Sequence, residues 1–374
     1  MIKVLKHSLL YVFLFFISSC VNAAGKQTTV PAVNDSLKQL LRKVADWQIN
    51  SLDRNGYKWA VNEWVYSTYY LGLFETGEFL KEPDYISKTR YYAEKSSWKV
   101  GKENRRFFAD DYLIGDLYSK LYNKYHDPTM IADFQQMADE LIARKTDESL
   151  EFKNMNVFRV WAWCDAMFMG PPSLLTLANV TGQNKYRLLM DSLWWKSYDY
   201  LYDKKEHLYY RDSRFFEKRE KNGEKVFWGR GNGWVLSGLA RVLEAMPVNF
   251  PSRKKYEVLF KDMAARIAGL QQTDGMWRAS LLSPETYPSR ETSGTGLYCY
   301  ALTWGINHGF LNKAKYKPVV SKAWRALRSC VQPDGKLGFV QKIGDQAEIT
   351  TDQDTDAFGV GAFLLAGTEI ANLK

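Results

Sequence analysis

Cysteine and histidine are scarce in this chain of 374 residues, which has four of each. Past residue 20 the cysteines are scattered, at Cys164, Cys299 and Cys330. They form no CxxC pair and no disulfide framework, and no two histidines stand at the spacing of metal ligands. We therefore predict no metal site, and nothing in the chain implies a cofactor.

Long apolar runs are also missing beyond the N-terminus. The run at residues 9–17 follows Lys3 and Lys6 and is too short to cross a membrane as a mature helix. This pattern is typical of a signal peptide, which we place at residues 1–23, before a short linker at 24–34. The chain is therefore predicted to be exported by a bacterium, with one domain at residues 35–374.

Two cleavage sites compete at the end of this segment. The sequence ISSC, which ends at Cys20, resembles a bacterial lipobox, in which Cys20 would be lipidated and become the mature N-terminus. The small residues around Ala23 would instead suit ordinary signal peptidase. We favour the lipobox, which predicts a lipid anchor at Cys20 on a membrane-bound protein, whereas ordinary cleavage predicts a free periplasmic one.

Basic blocks are absent as well. The formal net charge is +9, yet no block of Lys and Arg alternates with aromatic residues. We therefore expect no nucleic-acid partner. The mild positive excess would suit an anionic sugar, and solvated surface charge explains it equally well.

Aromatic residues, by contrast, are plentiful at 15%, with 13 Trp, 23 Tyr and 20 Phe. Flat rings pack against the apolar faces of sugars, so carbohydrate-binding clefts use many of them. A large helical core uses them too, and it accounts for most of these residues.

Apolar spacing after residue 34 is helical, and strand alternation is scarce. The pair Pro171 and Pro172 must break or restart one of the helices. The predicted helices, twelve in all, lie near 35–52, 62–80, 84–97, 108–125, 130–145, 157–181, 184–203, 230–245, 254–271, 292–309, 316–330 and 355–373.

Weak internal repetition supports an arrangement in hairpins. The segment 272–277 (QTDGMW) recurs sixty residues later as 332–337 (QPDGKL), and both contain an Asp-Gly turn after a helix. We interpret Asp274 and Asp334 as turn residues. Twelve helices make six hairpins, so we predict an all-α fold, a single (α/α)6 barrel.

Unusual residues gather at the start of every second predicted helix. In such a barrel alternate helices run parallel and form the inner ring, so their N-termini share one face and favour an anion there. Small residues at these starts also allow close packing of inner helices, but that does not explain the Trp, Asp, Glu and Arg. The motifs lie at 62–64, 110–112, 161–165, 228–234, 291–294 and 355–359.

Three aspartates at these starts are candidates for acid and base chemistry. Asp165 lies between aromatic residues, where desolvation would raise its pKa and suit a proton donor. A simple helix N-cap explains it equally well. Asp110 and Asp111 are adjacent, so one can face the site as part of an acid–base couple while the other caps the helix.

The segment FWGRGNGW at 227–234 carries candidates for sugar binding. Arg230 stands between glycines and could grip the carboxylate of a uronic acid with two hydrogen bonds. Trp228 and Trp234 could stack on the sugar, and Asn232 lies between them in sequence. The spaced glycines are not a phosphate loop, because no strand precedes them and no Lys-Ser/Thr follows.

Five ordered motifs together resemble glycoside hydrolase family 105. They are WAWCDAMFMGPP (161–172), FWGRGNGW (227–234), GMWRASLL (275–282), YPSRETSGTG (287–296) and TDAFGVGAFLLAG (355–367). The resemblance covers residues 35–373 and implies a single (α/α)6 barrel. It also implies removal of a Δ4,5-unsaturated galacturonyl or glucuronyl residue from the non-reducing end of lyase-generated oligosaccharides, by hydration of the C4=C5 double bond.

The resemblance also implies roles for individual residues. Asp165 matches the catalytic aspartate, and the second pocket aspartate is Asp110 or Asp111. The matching substrate contacts are Trp64, Trp163, Trp228 and Arg230. Many members have a histidine in a Tyr-His pair where this chain has Arg211, which we therefore treat as a candidate uronate contact.

Other functions stay open at this stage. The same fold could carry a polysaccharide lyase or an ordinary glycosidase that uses Asp110 or Asp111 with Asp165. A non-catalytic sugar-binding lipoprotein would keep the tryptophans without needing Asp165. Rhamnogalacturonan is our first choice of parent polysaccharide, and the oligomeric state is not predicted.

Overall fold

The structure is a computed structural model that describes residues 32–102, 105–144, 147–153 and 161–373. The predicted signal peptide and Cys20 lie outside these residues. So does the predicted linker, except for residues 32–34, which belong to the first helix. No helix in the described ranges is long and apolar enough to cross a membrane.

The described residues contain all twelve predicted helices. They are α1 (Ala32–Asn55), α2 (Trp64–Leu80), α3 (Pro83–Lys95), α4 (Leu113–Tyr125), α5 (Thr129–Ala143), α6 (Ala166–Thr181), α7 (Asn184–Leu201), α8 (Gly229–Ala245), α9 (Arg253–Gly269), α10 (Thr292–Asn307), α11 (Lys313–Arg328) and α12 (Ala357–Ala371).

The even-numbered helices form a closed inner ring. Each packs against the next even-numbered helix, and α12 packs back onto α2. The odd-numbered helices pack outside on their neighbours, as α9 does on α8. The inner helix α12 is buried along most of its length, whereas α9 buries one stripe that includes Tyr256, Phe260 and Met263. The predicted all-α (α/α)6 barrel is confirmed.

The sequence repeat is a repeated turn between outer and inner helices. Asp274 accepts a hydrogen bond from the backbone N–H of Met276, and Asp334 accepts one from Lys336. The glycines that follow the two aspartates have φ values of +94° and +104°, which L side chains rarely adopt. The prediction that both aspartates are turn residues is confirmed.

One prediction about helix α6 is wrong. The helix begins at Ala166 and runs through Pro171 and Pro172 without a break. A proline removes the N–H that would bind the carbonyl four residues earlier. For Pro172 that carbonyl belongs to Phe168, and Arg241 Nη1 donates to it at 3.0 Å. The guanidinium replaces the missing donor, so the helix continues. Residues 157–160 of the predicted helix lie outside the described ranges.

A short hairpin carries the chain to the site after α7. Strand β1 (Tyr202–Asp203) pairs antiparallel with β2 (Leu208–Tyr209). The side-chain amide of Asn232 on α8 binds both the N–H and the carbonyl of Tyr209, at 2.8 and 3.0 Å. This contact fixes the backbone just before Arg211.

Candidate active site

The starts of the inner helices meet at one face of the barrel, as predicted. Trp64 at the start of α2 contacts Trp234 on α8 and Phe358 on α12, with ring centroids 6.2 and 5.2 Å apart. Phe168 on α6 contacts Trp234 at 4.7 Å, and Trp163 stacks on Phe108 at 5.0 Å. Aromatic residues from separate inner helices therefore line one region.

The two adjacent aspartates have different surroundings. They lie in a 3-10 turn, Ala109–Tyr112, just before α4, which turns consecutive side chains about 120° apart. Asp111 is paired with Arg105 at 2.8 Å, and the same guanidinium binds Glu63 at 2.7 Å. Asp110 is buried, and its Oδ1 has no hydrogen-bond partner among the described residues. Asp111 Oδ2 is likewise unpartnered there, and burial raises the pKa of Asp111 to about 7 although Arg105 lowers it. The two differ in their charged neighbours: Asp111 is held in an ion pair by Arg105, whereas the charge of Asp165 acts on Asp110. Asp110 is therefore the better candidate for chemistry.

Asp165 stands at the N-cap position of α6, but its side chain makes no capping hydrogen bond. Its Oδ2 lies 3.5 Å from the thiol of Cys164 and 3.6 Å from Arg211 Nε. The side chain is 12% exposed. An N-cap role does not account for this side chain, since it is directed towards Arg211 instead.

Asp110 and Asp165 form an electrostatically coupled pair. Burial raises the pKa of Asp110 well above its ordinary value, and the charge of Asp165 raises it further. Burial also raises the pKa of Asp165, although Arg211 and Arg230 oppose that increase. Ionising both buried carboxyls would cost electrostatic free energy, because their negative charges repel each other. The pair therefore retains a proton at a higher pH than a free carboxyl would.

Arg211 approaches Asp165 from the segment after β2. Its backbone carbonyl accepts a hydrogen bond from the N–H of Cys164 at 2.8 Å. Its Nη1 donates to Asp212 at 2.7 Å, whereas its buried Nε has no hydrogen-bond partner in the described part of the chain. The guanidinium is thus fixed at one end and has a free N–H at the other.

Arg230 lies in the first turn of α8, and its charge acts on Asp165. Its two terminal nitrogens donate to the carbonyls of Gln341 and Lys342 at 2.7 and 2.9 Å. Its Nε has no partner within the described ranges. Nη2 also donates to the carbonyl of Gly344 at 3.5 Å. Three of the five N–H groups therefore hold the segment 341–344, and the Nε–H is one of the two that remain. The two-bond uronate clamp predicted for Arg230 stays a prediction.

The family of the chain follows from comparison with known proteins. The model of Glycosyl Hydrolase Family 88 matches residues 37–374, which include every residue of the site. The chain belongs to glycosyl hydrolase family 88. It is a glycoside hydrolase.

Two curated relatives of this family 88 protein share the name unsaturated 3S-rhamnoglycuronyl hydrolase. The one from Formosa agariphila is 41% identical over 331 residues, which cover 84% of this chain and 86% of the relative. The one from an Alteromonas species is 30% identical over 364 residues, which cover 92% and 88%.

Solved structures share the fold. A family 88 hydrolase from Bacteroides vulgatus is 28% identical with a TM-score of 0.82, over 91% of this chain and 99% of that one. A structure described as a polysaccharide lyase is 31% identical with a TM-score of 0.82, over 90% and 97%. A structure from Salmonella enterica, described as a possible family 105 member, has a TM-score of 0.74 at 17% identity, over 96% and 99%. The predicted resemblance to family 105 is confirmed.

The predicted tryptophan contacts are mostly inside the protein. Trp163, Trp228 and Trp234 are almost fully buried, whereas Trp64 is half-buried. Trp228 Nε1 donates to Gln341, on the segment that Arg230 holds. The structure places all four at the face of the barrel where the inner helices start, and their stacking on a sugar stays a prediction. The amide of Asn232 is occupied by Tyr209, so a substrate contact for it stays a prediction as well.

Sequence reasoning missed the groups that support the site. Arg105 carries no motif, and its contact with Glu63 and Asp111 joins segments that are distant in sequence. In the sequence Glu291 is marked only by its place in the motif at 291–294, at the start of a predicted helix. Its buried carboxylate binds the N–H groups of Ser293, Gly294 and Gln341, and it therefore fixes the segment that carries the Arg230 acceptors.

Proposed function

We propose that this protein removes a Δ4,5-unsaturated uronic acid from the non-reducing end of lyase-generated oligosaccharides. One observation carries the proposal: the buried carboxyls of Asp110 and Asp165 are coupled, and the charges of Arg211 and Arg230 act on Asp165. Each of these two arginines has an Nε–H without a partner among the described residues. The carboxyls can supply a proton near neutral pH. The arginines supply donors for the carboxylate of the sugar.

The reaction is hydration followed by ring opening. Asp165 gives its proton to C4 of the enol ether, and the resulting carboxylate takes a proton from the water that attacks C5. The product is a hemiketal at C5. Its C5–O5 bond breaks to leave a ketone, and the hemiacetal at C1 then releases the leaving sugar as an alcohol. One water is consumed, and the aspartate ends as it began.

The charges favour this order of events. In the free protein, Arg211 and Arg230 lower the pKa of Asp165 against the larger effect of burial. A uronate carboxylate that binds the two guanidinium groups would neutralise part of their charge. The pKa of Asp165 would then rise, and the proton shared with Asp110 would move towards Asp165. Binding of the correct anion would therefore place the proton on the catalytic acid.

The leaving sugar, rather than the uronate, must determine specificity. A C4=C5 double bond removes the stereocentres at C4 and C5, so galacturonate and glucuronate give the same unsaturated residue. The question of galacturonyl or glucuronyl preference is therefore a question about the parent chain. The two curated relatives from Formosa agariphila and Alteromonas are both named unsaturated 3S-rhamnoglycuronyl hydrolase. We propose rhamnose as the leaving sugar. Of the possible parent polysaccharides, we now favour one with O3-sulfated rhamnose over rhamnogalacturonan, which the sequence alone suggests.

Ultraviolet absorbance tests the reaction directly, because hydration destroys the conjugated double bond. Mature protein is mixed with an unsaturated uronyl-rhamnose 3-sulfate disaccharide, and in parallel with a lyase digest of rhamnogalacturonan. The signal should fall faster with the first, and Asp165→Asn should be slower by about 10²–10⁴-fold. A flat trace with both substrates, or an active Asp165→Asn protein, would refute the proposal.

A second function is favoured by one comparison, the 31%-identical structure described as a polysaccharide lyase. A lyase creates the double bond that the proposed enzyme destroys, so the absorbance would rise on intact polysaccharide. It would also need a base near the uronate Cα–H, and the carboxyls of this site hold a proton instead of accepting one easily. The sign of the absorbance change separates the two activities.

We further propose that the protein acts outside the cytoplasm, as a lipoprotein anchored at Cys20. The proposal is supported by the apolar run at 9–17 and the ISSC sequence that follows it. Outside the cytoplasm, the enzyme would meet the oligosaccharides that lyases release before they enter the cell.

A further inference from the structure

Asp212 is a fully buried carboxylate beside the site. Its two oxygens accept hydrogen bonds from the backbone N–H, Nε and Nη2 of Arg214, at 2.9, 2.9 and 2.8 Å. They also accept one from Arg211 Nη1 at 2.7 Å. Burial opposes ionisation, but the two guanidinium groups hold the pKa of Asp212 below its ordinary value. Asp212 is thus a fixed negative charge with all its contacts satisfied.

The two carboxylates near Arg211 are not equivalent. Asp212 binds it at hydrogen-bond distance, whereas Asp165 Oδ2 stands 3.6 Å from its Nε, beyond a hydrogen bond. Arg211 is 14% exposed and lies over the ring of Phe152 at 5.2 Å. Asp212 therefore draws the guanidinium away from direct pairing with Asp165.

Direct pairing would harm the proposed reaction. A guanidinium in full contact with a carboxylate lowers its pKa by about 1–3 units. Asp165 would then lose the proton that it must give to C4, and the Nε–H of Arg211 would no longer be free for the substrate. The site needs a cation close enough to bind the uronate but held apart from the acid.

We propose that Asp212 is a positioning residue that restrains Arg211 and so keeps Asp165 protonatable. The proposal rests on the proposed function, because it takes Asp165 as the acid. Two cations face Asp165, namely Arg211 after β2 and Arg230 on α8. The other titratable groups that face it are Asp110 in the 3-10 turn and Cys164, which precedes Asp165 in the chain. Of these, Arg211 is the cation for which Asp212 competes.

The test is the pH dependence of kcat/KM, which reports groups of the free enzyme. In Asp212→Asn, Asp165 becomes the nearest anion to Arg211, and the guanidinium should close onto it. Activity falls at alkaline pH when the coupled pair of Asp110 and Asp165 loses its proton. This alkaline limb of the kcat/KM profile should move to lower pH by about one pH unit. KM should rise as well. In Arg211→Gln the limb should move to higher pH, because a cation near Asp165 is lost.

The double variant makes the test specific. If Asp212 acts through Arg211, then adding Asp212→Asn to Arg211→Gln should produce no further downward shift. Asp345→Asn is the matched control, since it removes only the outer partner of Arg214, at 2.6 Å. Its limb should not move. Circular dichroism verifies that each variant is folded, and if Asp212→Asn is not, Asp212→Glu should keep the wild-type limb.

Several results would overturn the proposal. In Asp212→Asn, activity could fall while the alkaline limb of the kcat/KM profile stays in place, or the limb could move to higher pH. In the double variant, Asp212→Asn could still move the limb to lower pH although Arg211 is absent. If the wild type turns over neither substrate, the proposed function fails instead. Infrared difference spectra against Asp165→Asn would then titrate the Asp165 carboxyl directly, and an unchanged titration in Asp212→Asn would refute the positioning role by itself.

Discussion

Asp110→Asn and Asp111→Asn should have opposite effects on activity and stability, although the residues are neighbours. Both have a buried oxygen without a partner among the described residues, but only Asp111 is held by Arg105, whereas Asp110 is coupled to Asp165. Its amide variant cannot share a proton, so kcat/KM should fall by about 10²–10⁴-fold, or about 3–5 kcal/mol of transition-state stabilisation. Its stability should be no lower than wild type, because burial and the neighbouring Asp165 already disfavour the ionised form of Asp110, and the amide is neutral.

Asp111 should show the reverse. Its carboxylate is 2% exposed and pairs with Arg105, which is itself 20% exposed. Breaking a buried ion pair from one side costs about 3–5 kcal/mol. The value here should be near 2–3 kcal/mol, since Glu63 still binds Arg105. Activity should stay within about fivefold of wild type, as no step of the reaction uses this group.

Urea unfolding and the absorbance assay measure the two quantities on the same preparations. The combination matters, because a merely misfolded variant would lose both activity and stability. An Asp111→Asn protein that loses as much activity as Asp110→Asn would contradict the assignment of Asp110 to the site. An Asp110→Asn protein that turns over at the wild-type rate would contradict it as well.

Three further results are expected. Burial raises the pKa of Glu369 to about 7, with a further increase from Glu244. The folded state then holds a proton that the unfolded state loses, so stability should fall by on the order of 2 kcal/mol between pH 4.5 and 7. Thermal unfolding of Glu369→Gln should lack this decrease, and an identical pH profile would contradict it. Arg241→Met leaves both Asp116 and the Phe168 carbonyl without a partner, so urea unfolding should show a loss of about 3–5 kcal/mol; a loss under 1 kcal/mol would disprove the account of α6. Cys20→Ala should move the protein from the membrane to the soluble fraction and abolish palmitate labelling, whereas unchanged labelling would exclude the anchor.

Much of the fold could be predicted because helical periodicity and turn signals are local. The boundaries of α2, α7 and α10 follow from apolar spacing and from flanking turn residues. The error at α6 had a non-local cause. The donor that replaces the missing N–H of Pro172 is Arg241, on another inner helix, and no local rule could supply it.

The site divides in the same way. The positions of Asp110, Asp165 and Arg230 at helix starts followed from the alternating pattern. The choice between Asp110 and Asp111 did not, because it depends on Arg105 and Glu63, which come from other segments. The use of Arg230 to hold residues 341–344 was likewise hidden, since its acceptors are backbone carbonyls more than a hundred residues away.

The arginines of the site solve a conflict that any such enzyme faces. A cation is needed to bind the uronate, and a protonated acid is needed to start the reaction, but in direct contact the two would form an ion pair and disable each other. Each guanidinium here is restrained by groups other than Asp165: Arg230 by the carbonyls of Gln341 and Lys342, and Arg211 by Asp212. Each keeps an Nε–H that has no hydrogen-bond partner in the part of the chain that the structure describes. These restraints keep the guanidinium groups from pairing directly with Asp165. The carboxylate of an incoming uronate can then accept the hydrogen bonds that Asp165 does not.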